Sequence, residues 1–181
     1  MEDNLKKHGV FIGAIVFLVA ALGLFIISQE RILSGGEVTI LKTAPVDPRD
    51  LLRGEYVILA YEIQQDQQIS AFIEKSSLRT GDPVFISLKE DARGVASLAD
   101  VHVNKPHGQS DLWLQGEVRG NRVSFPDIEQ YFVPEGAGLP IERLGDSIHA
   151  EISLHRGNAR VMQILNEKLM PLNPETFIPV K

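Results

Sequence analysis

Val10 to Ser28 reads VFIGAIVFLVAALGLFIIS, and the reading of this run decides how the whole chain is organised. It contains no charged residue. At about 1.5 Å of rise per residue, some 20 apolar residues span the roughly 30 Å hydrocarbon core of a bilayer. A helix packed on a water-soluble core keeps a polar face, and this run has none. The sequence therefore predicts a transmembrane anchor over 10–28. Before it lies a short basic tail, 1–9, with Lys6 and Lys7; after it come a linker, 29–36, and a domain, 37–181.

Two alternatives are a cleaved secretory signal and a helix buried in the domain. A signal core runs about 7–15 apolar residues and ends at a small-x-small step. Here the run is longer and ends Leu24-Phe25-Ile26-Ile27-Ser28-Gln29-Glu30, with no Ala-x-Ala. An uncleaved signal anchor fits better. The absence of cysteine excludes a lipid-modified N-terminal Cys. A short basic tail ahead of a span favours a cytoplasmic N-terminus. The expected location is a single pass through a bacterial inner membrane, with the domain periplasmic or otherwise extracytoplasmic. Gly9 and Gly13 form one G-x-x-x-G, read as ordinary glycine content rather than a dimerising face.

Glu2 and Asp3 balance Lys6 and Lys7, so the net charge of −6 belongs to the part after the anchor. An acidic domain argues against nucleic acid as a partner. The domain's hydrophobic pattern mostly has period two. Strands are expected at Glu37–Thr43, Tyr56–Ile63, Val84–Lys89, Val95–Val103, Leu112–Arg119, Arg122–Phe125, Tyr131–Val133, Ser147–His155 and Ala159–Leu165. Turn residues such as Arg93-Gly94, Gly120-Asn121 and Arg156-Gly157-Asn158 separate them. Short helices are expected near Pro48–Leu52, Gln67–Ser76 and Pro140–Arg143. The fold class is all-β, an antiparallel sandwich or partly closed barrel with a few short helices, behind one N-terminal transmembrane helix.

Two segments carry the most information. In PVDPRDLLRGEYVILAYE, Pro45–Glu62, Asp47-Pro48-Arg49-Asp50 reads as a helix start and Gly54 as its stop. In the strand that follows, Glu55, Val57, Leu59, Tyr61 and Ile63 share one face and Tyr56, Ile58, Ala60 and Glu62 the other. Both faces look apolar, which predicts a central strand. The second segment is YFVPEGAGLPIE, Tyr131–Glu142, where Glu135 stands between Pro134 and Gly136, ahead of Gly138.

Gly54-Glu55-Tyr56-Val57-Ile58-Leu59-Ala60-Tyr61 resembles the signature of the GDYXXLXY proteins, a family of membrane-anchored bacterial proteins. Asp47, Pro48, Arg49, Asp50 and Arg53 upstream, and Tyr131, Phe132, Pro134, Glu135, Gly136 and Gly138 later, match the family pattern as well. One departure is Glu55 where the family name has Asp. The resemblance implies membrane attachment and carries over no activity; such proteins are often encoded beside polytopic membrane proteins.

Chemistry is harder to support. Leu51-Leu52-Arg53-Gly54-Glu55 is similar to part of a signal-peptidase motif, but the nucleophile's position falls on Val46, which has no hydroxyl. No histidine spacing marks a zinc site, and each histidine reads as a surface or cross-strand residue. No metal and no cofactor is expected. What is left is a set of carboxylates, Asp47, Asp50, Glu55, Glu135 and Glu142, with Arg49 and Arg53 among them. An ion pair such as Arg53–Glu135 is one use for them. The other is acid/base catalysis, making the chain a cell-envelope hydrolase that uses Glu135 with Asp50 or Glu55. The leading expectation is a non-enzymatic binding or assembly module for an integral membrane partner.

Overall fold

A computed structural model describes residues 2–44, 56–106, 112–134, 141 and 148–173, with side chains of the N-terminal helix over 11–27. That helix, α1, runs Glu2–Gly35, through the basic tail and the linker as well as the apolar run. It touches the last two strands of the domain. Among the described residues ten strands follow: β1 (Glu37–Ala44), β2 (Tyr56–Ile58), β3 (Ala60–Tyr61), β4 (Pro83–Glu90), β5 (Val95–His102), β6 (Trp113–Arg119), β7 (Arg122–Ser124), β8 (Gln130–Phe132), β9 (His149–His155) and β10 (Asn158–Leu165). A 3-10 turn, Glu62–Gln65, and helix α2, Gln67–Ser76, lie between β3 and β4.

The main sheet has the order β10-β9-β1-β5-β4-β6-β7, with β3 added to β1; β2 and β8 form a separate ribbon. All neighbours pair antiparallel except β1 and β5, which pair parallel through Ile40↔Val95 and Leu41↔Ala96. The sheet curls until β6 meets the turn before β10. Leu114 bridges Gly157, and Gln115 N donates to Gly157 O at 2.9 Å. Gly157 has φ +85, and a Cβ there would run into the Trp113 ring. Glycine is needed at this seam on both counts. The domain is a mostly β, partly closed barrel.

Local rules explain most of the elements. In β1, Thr39, Leu41 and Thr43 point inward at period two, and Thr43 Oγ1 donates to Ile148 O at 2.7 Å. Helix α2 starts where the Asp66 carboxylate accepts from Gln68 N, and buries Ile69 and Ile73 on one stripe. It stops at Ser77, which takes the left-handed conformation. The core gathers Leu41, Leu59, Tyr61, Ile86, Leu114, Phe125, Ile152 and Ile164, each almost fully buried and worth about 1.5–3 kcal/mol in transfer free energy.

Two expectations need revising. The strand over Tyr56–Ile63 is broken at Leu59 and turns into the 3-10 turn at Glu62. Nor is it central: Val57, Leu59, Tyr61 and Ile63 are buried, while Ile58 and Glu62 are exposed. It is a one-sided strand whose outer face carries an apolar residue. The anchor expectation stands differently. Among the described residues no helix is long and apolar enough to cross a membrane. The helix expected at Pro48–Leu52 lies outside the described residues, as does Pro140–Arg143 apart from Ile141, which is helical and fully buried.

Candidate functional site

The signature strand makes a lock around one tyrosine. Tyr61 is completely buried, and its hydroxyl donates to Ile128 O at 2.6 Å. Burial, with the negative Glu129 nearby, pushes its ionisation far above the ordinary phenol range, so it stays a neutral donor. The backbone of the same residue is held from the other side, Tyr61 N donating to Gln64 Oε1 at 2.7 Å. Gln64 Nε2 then donates to Val123 O (3.1 Å) and to Glu129 Oε1 (2.6 Å).

Glu129 is the hub. Its carboxylate also accepts from Ser124 Oγ at 2.9 Å on both oxygens and from Phe125 N at 2.8 Å, while its carbonyl accepts from Leu59 N at 2.8 Å. Three elements thus meet at Glu129: the 3-10 turn and the β7–β8 connection on its carboxylate, and the signature strand on its backbone carbonyl. A half-buried carboxylate with this many donors is an acceptor already in use, which suits structure better than proton transfer. The signature strand also pairs with the second motif through Tyr56↔Phe132, Val57↔Tyr131 and Ile58↔Gln130. Tyr56 and Phe132 meet edge to face at 6.2 Å. Burial raises the Tyr131 phenol as well, and Phe132 points outward, 73% exposed.

The structure therefore brings together Tyr56, Leu59, Tyr61, Tyr131 and Phe132 of the expected motif residues, with Pro134 at the end of the same ribbon. Asp47, Pro48, Arg49, Asp50, Arg53, Gly54, Glu55, Glu135, Gly136, Gly138 and Glu142 lie outside the described residues, so the catalytic candidates Glu135, Asp50 and Glu55 do too. Sequence reasoning missed Glu129. The signal was there, a Pro126-Asp127 turn between two short strands with a glutamate just beyond it.

Beside the lock lies a cleft. One arm, about 200 Å³, is lined by Ile58, Leu59, Gln64, Ser124 and Glu129 together with Arg119 and Arg122. The same two arginines, with Gln65, Ser70 and Asn121, line a shallower site of about 350 Å³.

Two histidines also differ from expectation or tempt a catalytic reading. His149 is buried, and its Nδ1 has no hydrogen-bond partner among the described residues. Burial lowers its pKa, as do Lys42 and Arg93, against the opposing pull of Glu62 and Glu167. His102 Nε2 lies 3.0 Å from Ser87 Oγ and 3.8 Å from Asp100 Oδ2. A relay needs the hydroxyl and the carboxylate on different ring nitrogens, and here both approach the same one. The cluster is a cross-strand polar contact between β4 and β5. Among the described residues no His, Asp and Glu side chains gather in a group able to hold a metal ion.

A family profile described as "GDYXXLXY protein" matches residues 18–164, most of the chain, including the signature strand, the lock and the barrel. No curated protein and no solved structure matches the chain.

Proposed function

The chain belongs to the GDYXXLXY protein family, and on that premise we propose that it is a membrane-anchored extracytoplasmic domain serving as a binding or assembly module for an integral membrane partner. One observation carries this reading, the exposed apolar surface of α1. Twelve large apolar side chains between Phe11 and Ile27 are each about half or more exposed. At 100° per residue they lie on every side of the helix, so no packing against the barrel alone could cover them. At about 1.5–3 kcal/mol each, leaving them in water would cost on the order of 20 kcal/mol, more than the 5–15 kcal/mol by which whole domains are stable. The helix needs an apolar surrounding. The described side chains over 11–27 account for about 25 Å of helix, short of a roughly 30 Å bilayer core; the sequence continues the apolar run to Val10 and Ser28.

The lock supports the non-enzymatic side of the proposal. The signature's inward residues build the core, and the carboxylate of the neighbouring Glu129 already accepts from two side chains and a backbone amide. The test has two parts. Membranes from cells expressing the full chain are washed with alkaline carbonate, and a C-terminal reporter fusion gives the side occupied by the domain. Retention in the washed membrane, an extracytoplasmic reporter and co-purification of a polytopic protein from mild detergent are expected. Release by carbonate, or recovery of the bare chain after crosslinking in intact cells, would refute the reading.

A further inference from the structure

Among the described residues the guanidiniums of the arginine pair that lines the cleft take part in no bond that holds the fold. The β6–β7 hairpin sets Arg119 directly opposite Arg122. Like charges facing each other across a ladder destabilise a sheet, and among the described residues neither guanidinium has an ion pair or hydrogen bond. Glu117 lies on the same strand as Arg119, and Glu129 lines the same cavity as both arginines. Glu117 shares the outward face of β6 but pairs with neither arginine, and Glu129 is engaged by Gln64, Ser124 and the Phe125 amide.

The hairpin tip is nevertheless held firmly. Gly120 takes φ +64, and its N–H donates to Thr80 Oγ1 at 3.2 Å. Ser70 Oγ of α2 donates to Asn121 O at 2.9 Å. The tip is thus tied to α2 and to the loop before β4, and the two arginines stand on a fixed base. The pair lines both cavities of the cleft, one about 350 Å³ and walled by polar residues, the other about 200 Å³ and partly apolar.

From this geometry we propose that the cleft is a binding site for a phosphoryl group carried on a small organic body. Two guanidiniums present ten N–H donors. One carboxylate is matched by a single guanidinium fork, whereas a phosphoryl dianion has three acceptor oxygens and close to two negative charges, enough for both. Gln65 and Ser70 add neutral polar groups at the same mouth. The inner arm is larger than a phosphate ion and is walled by Ile58, Leu59 and Ala60, which suits the organic part of an ester. This proposal does not depend on the membrane reading; it would stand if the anchor failed its test.

The probes are inorganic phosphate, glycerol 3-phosphate and micelles doped with phosphatidic acid, whose headgroup is a phosphomonoester, titrated onto the full chain in an uncharged detergent by calorimetry. The variants are R119Q, R122Q and their double, with K89Q as the control for charge, since Lys89 is exposed on another strand. Saturable binding is expected, weakened about tenfold or more by each arginine variant, as for loss of a charge-assisted hydrogen bond, and unchanged in K89Q. All four variants replace exposed residues, and unchanged Trp113 fluorescence will verify that each is folded. A response to glycerol 3-phosphate identifies a soluble ester as the ligand source, and a response confined to doped micelles identifies a lipid headgroup; either supports the site. Absence of saturable binding to every probe, or equal loss in K89Q, overturns it.

Discussion

Replacing Tyr61 with phenylalanine removes one oxygen from the centre of the lock and keeps the ring. The hydroxyl donates to Ile128 O at 2.6 Å, in a position with no access to water. The variant leaves that carbonyl unpaired, at a cost of about 1–3 kcal/mol. The ring still fills its space, so the further 3–5 kcal/mol typical of aromatic-to-alanine cavities does not apply. With a urea slope of about 2 kcal/mol/M for a domain of this size, the midpoint should fall by roughly 0.5–1.5 M. Trp113 is the only tryptophan in the chain and sits on the barrel seam, so its fluorescence reports the β domain rather than α1. A second signature comes from pH. The buried phenol's pKa is raised far above 10, so above about pH 10 the unfolded chain loses a proton that the folded chain keeps. Stability from this group is complete below that pH and is lost as pH rises, by about 1.4 kcal/mol per unit. Phenylalanine has no such slope, so the gap between the two proteins should narrow above pH 10. A midpoint within about 0.2 M of the parent, or a gap that stays constant to pH 11, would refute the role given to this hydroxyl.

Glu129→Ala strips the shared acceptor from Gln64, Ser124 and the Phe125 amide, and should cost about 2–4 kcal/mol by the same urea assay; Glu129→Gln, which keeps one oxygen, should cost less. Gly157→Ala places a side chain at φ +85 against the Trp113 ring, so a loss of at least about 2 kcal/mol and a changed Trp113 emission spectrum are expected. His149 has a lowered pKa when folded, so the unfolded chain binds the extra proton first as pH falls. Its contribution to stability is intact above about pH 6.5 and is lost below it, and His149→Leu should flatten the profile between pH 7.5 and 5.

The strands were readable because each buries one face, and period two survives in one dimension. β1, β4, β5, β6, β9 and β10 fall within about two residues of where alternation places them, and α2 covers the expected Gln67–Ser76. The break inside Tyr56–Ile63 was not readable. Alternation continues through it unchanged, because Leu59 keeps its inward position while its N–H leaves the ladder for Glu129 O. Closure of the barrel was hidden for a related reason. It rests on Leu114 meeting Gly157, residues far apart in sequence that share no pattern. Glu129 and the Arg119–Arg122 pair looked like ordinary polar residues of a short hairpin and turn. Their meaning comes from what the fold sets beside them, and a linear motif does not record that.

The signature's chemistry bears on where function should be sought. A family named for Gly-Asp-Tyr-x-x-Leu-x-Tyr invites the thought that those residues react or bind. Here Leu59 and the second tyrosine, Tyr61, are core, and Tyr56 is in a ring contact with Phe132. Their collective effect is to register β2 against β8, with Tyr56 directly opposite Phe132. Paired Cα atoms in such a ribbon lie about 4.5–5.5 Å apart. Tyr56 and Phe132 therefore stand side by side at one end of the ribbon, one from each motif. A weakened lock should disturb both together. If Tyr61→Phe reduces partner capture while the chain remains folded, and Arg119→Gln does not, the partner reads the ribbon face that carries the exposed Phe132. The opposite result would move recognition to the arginine cleft.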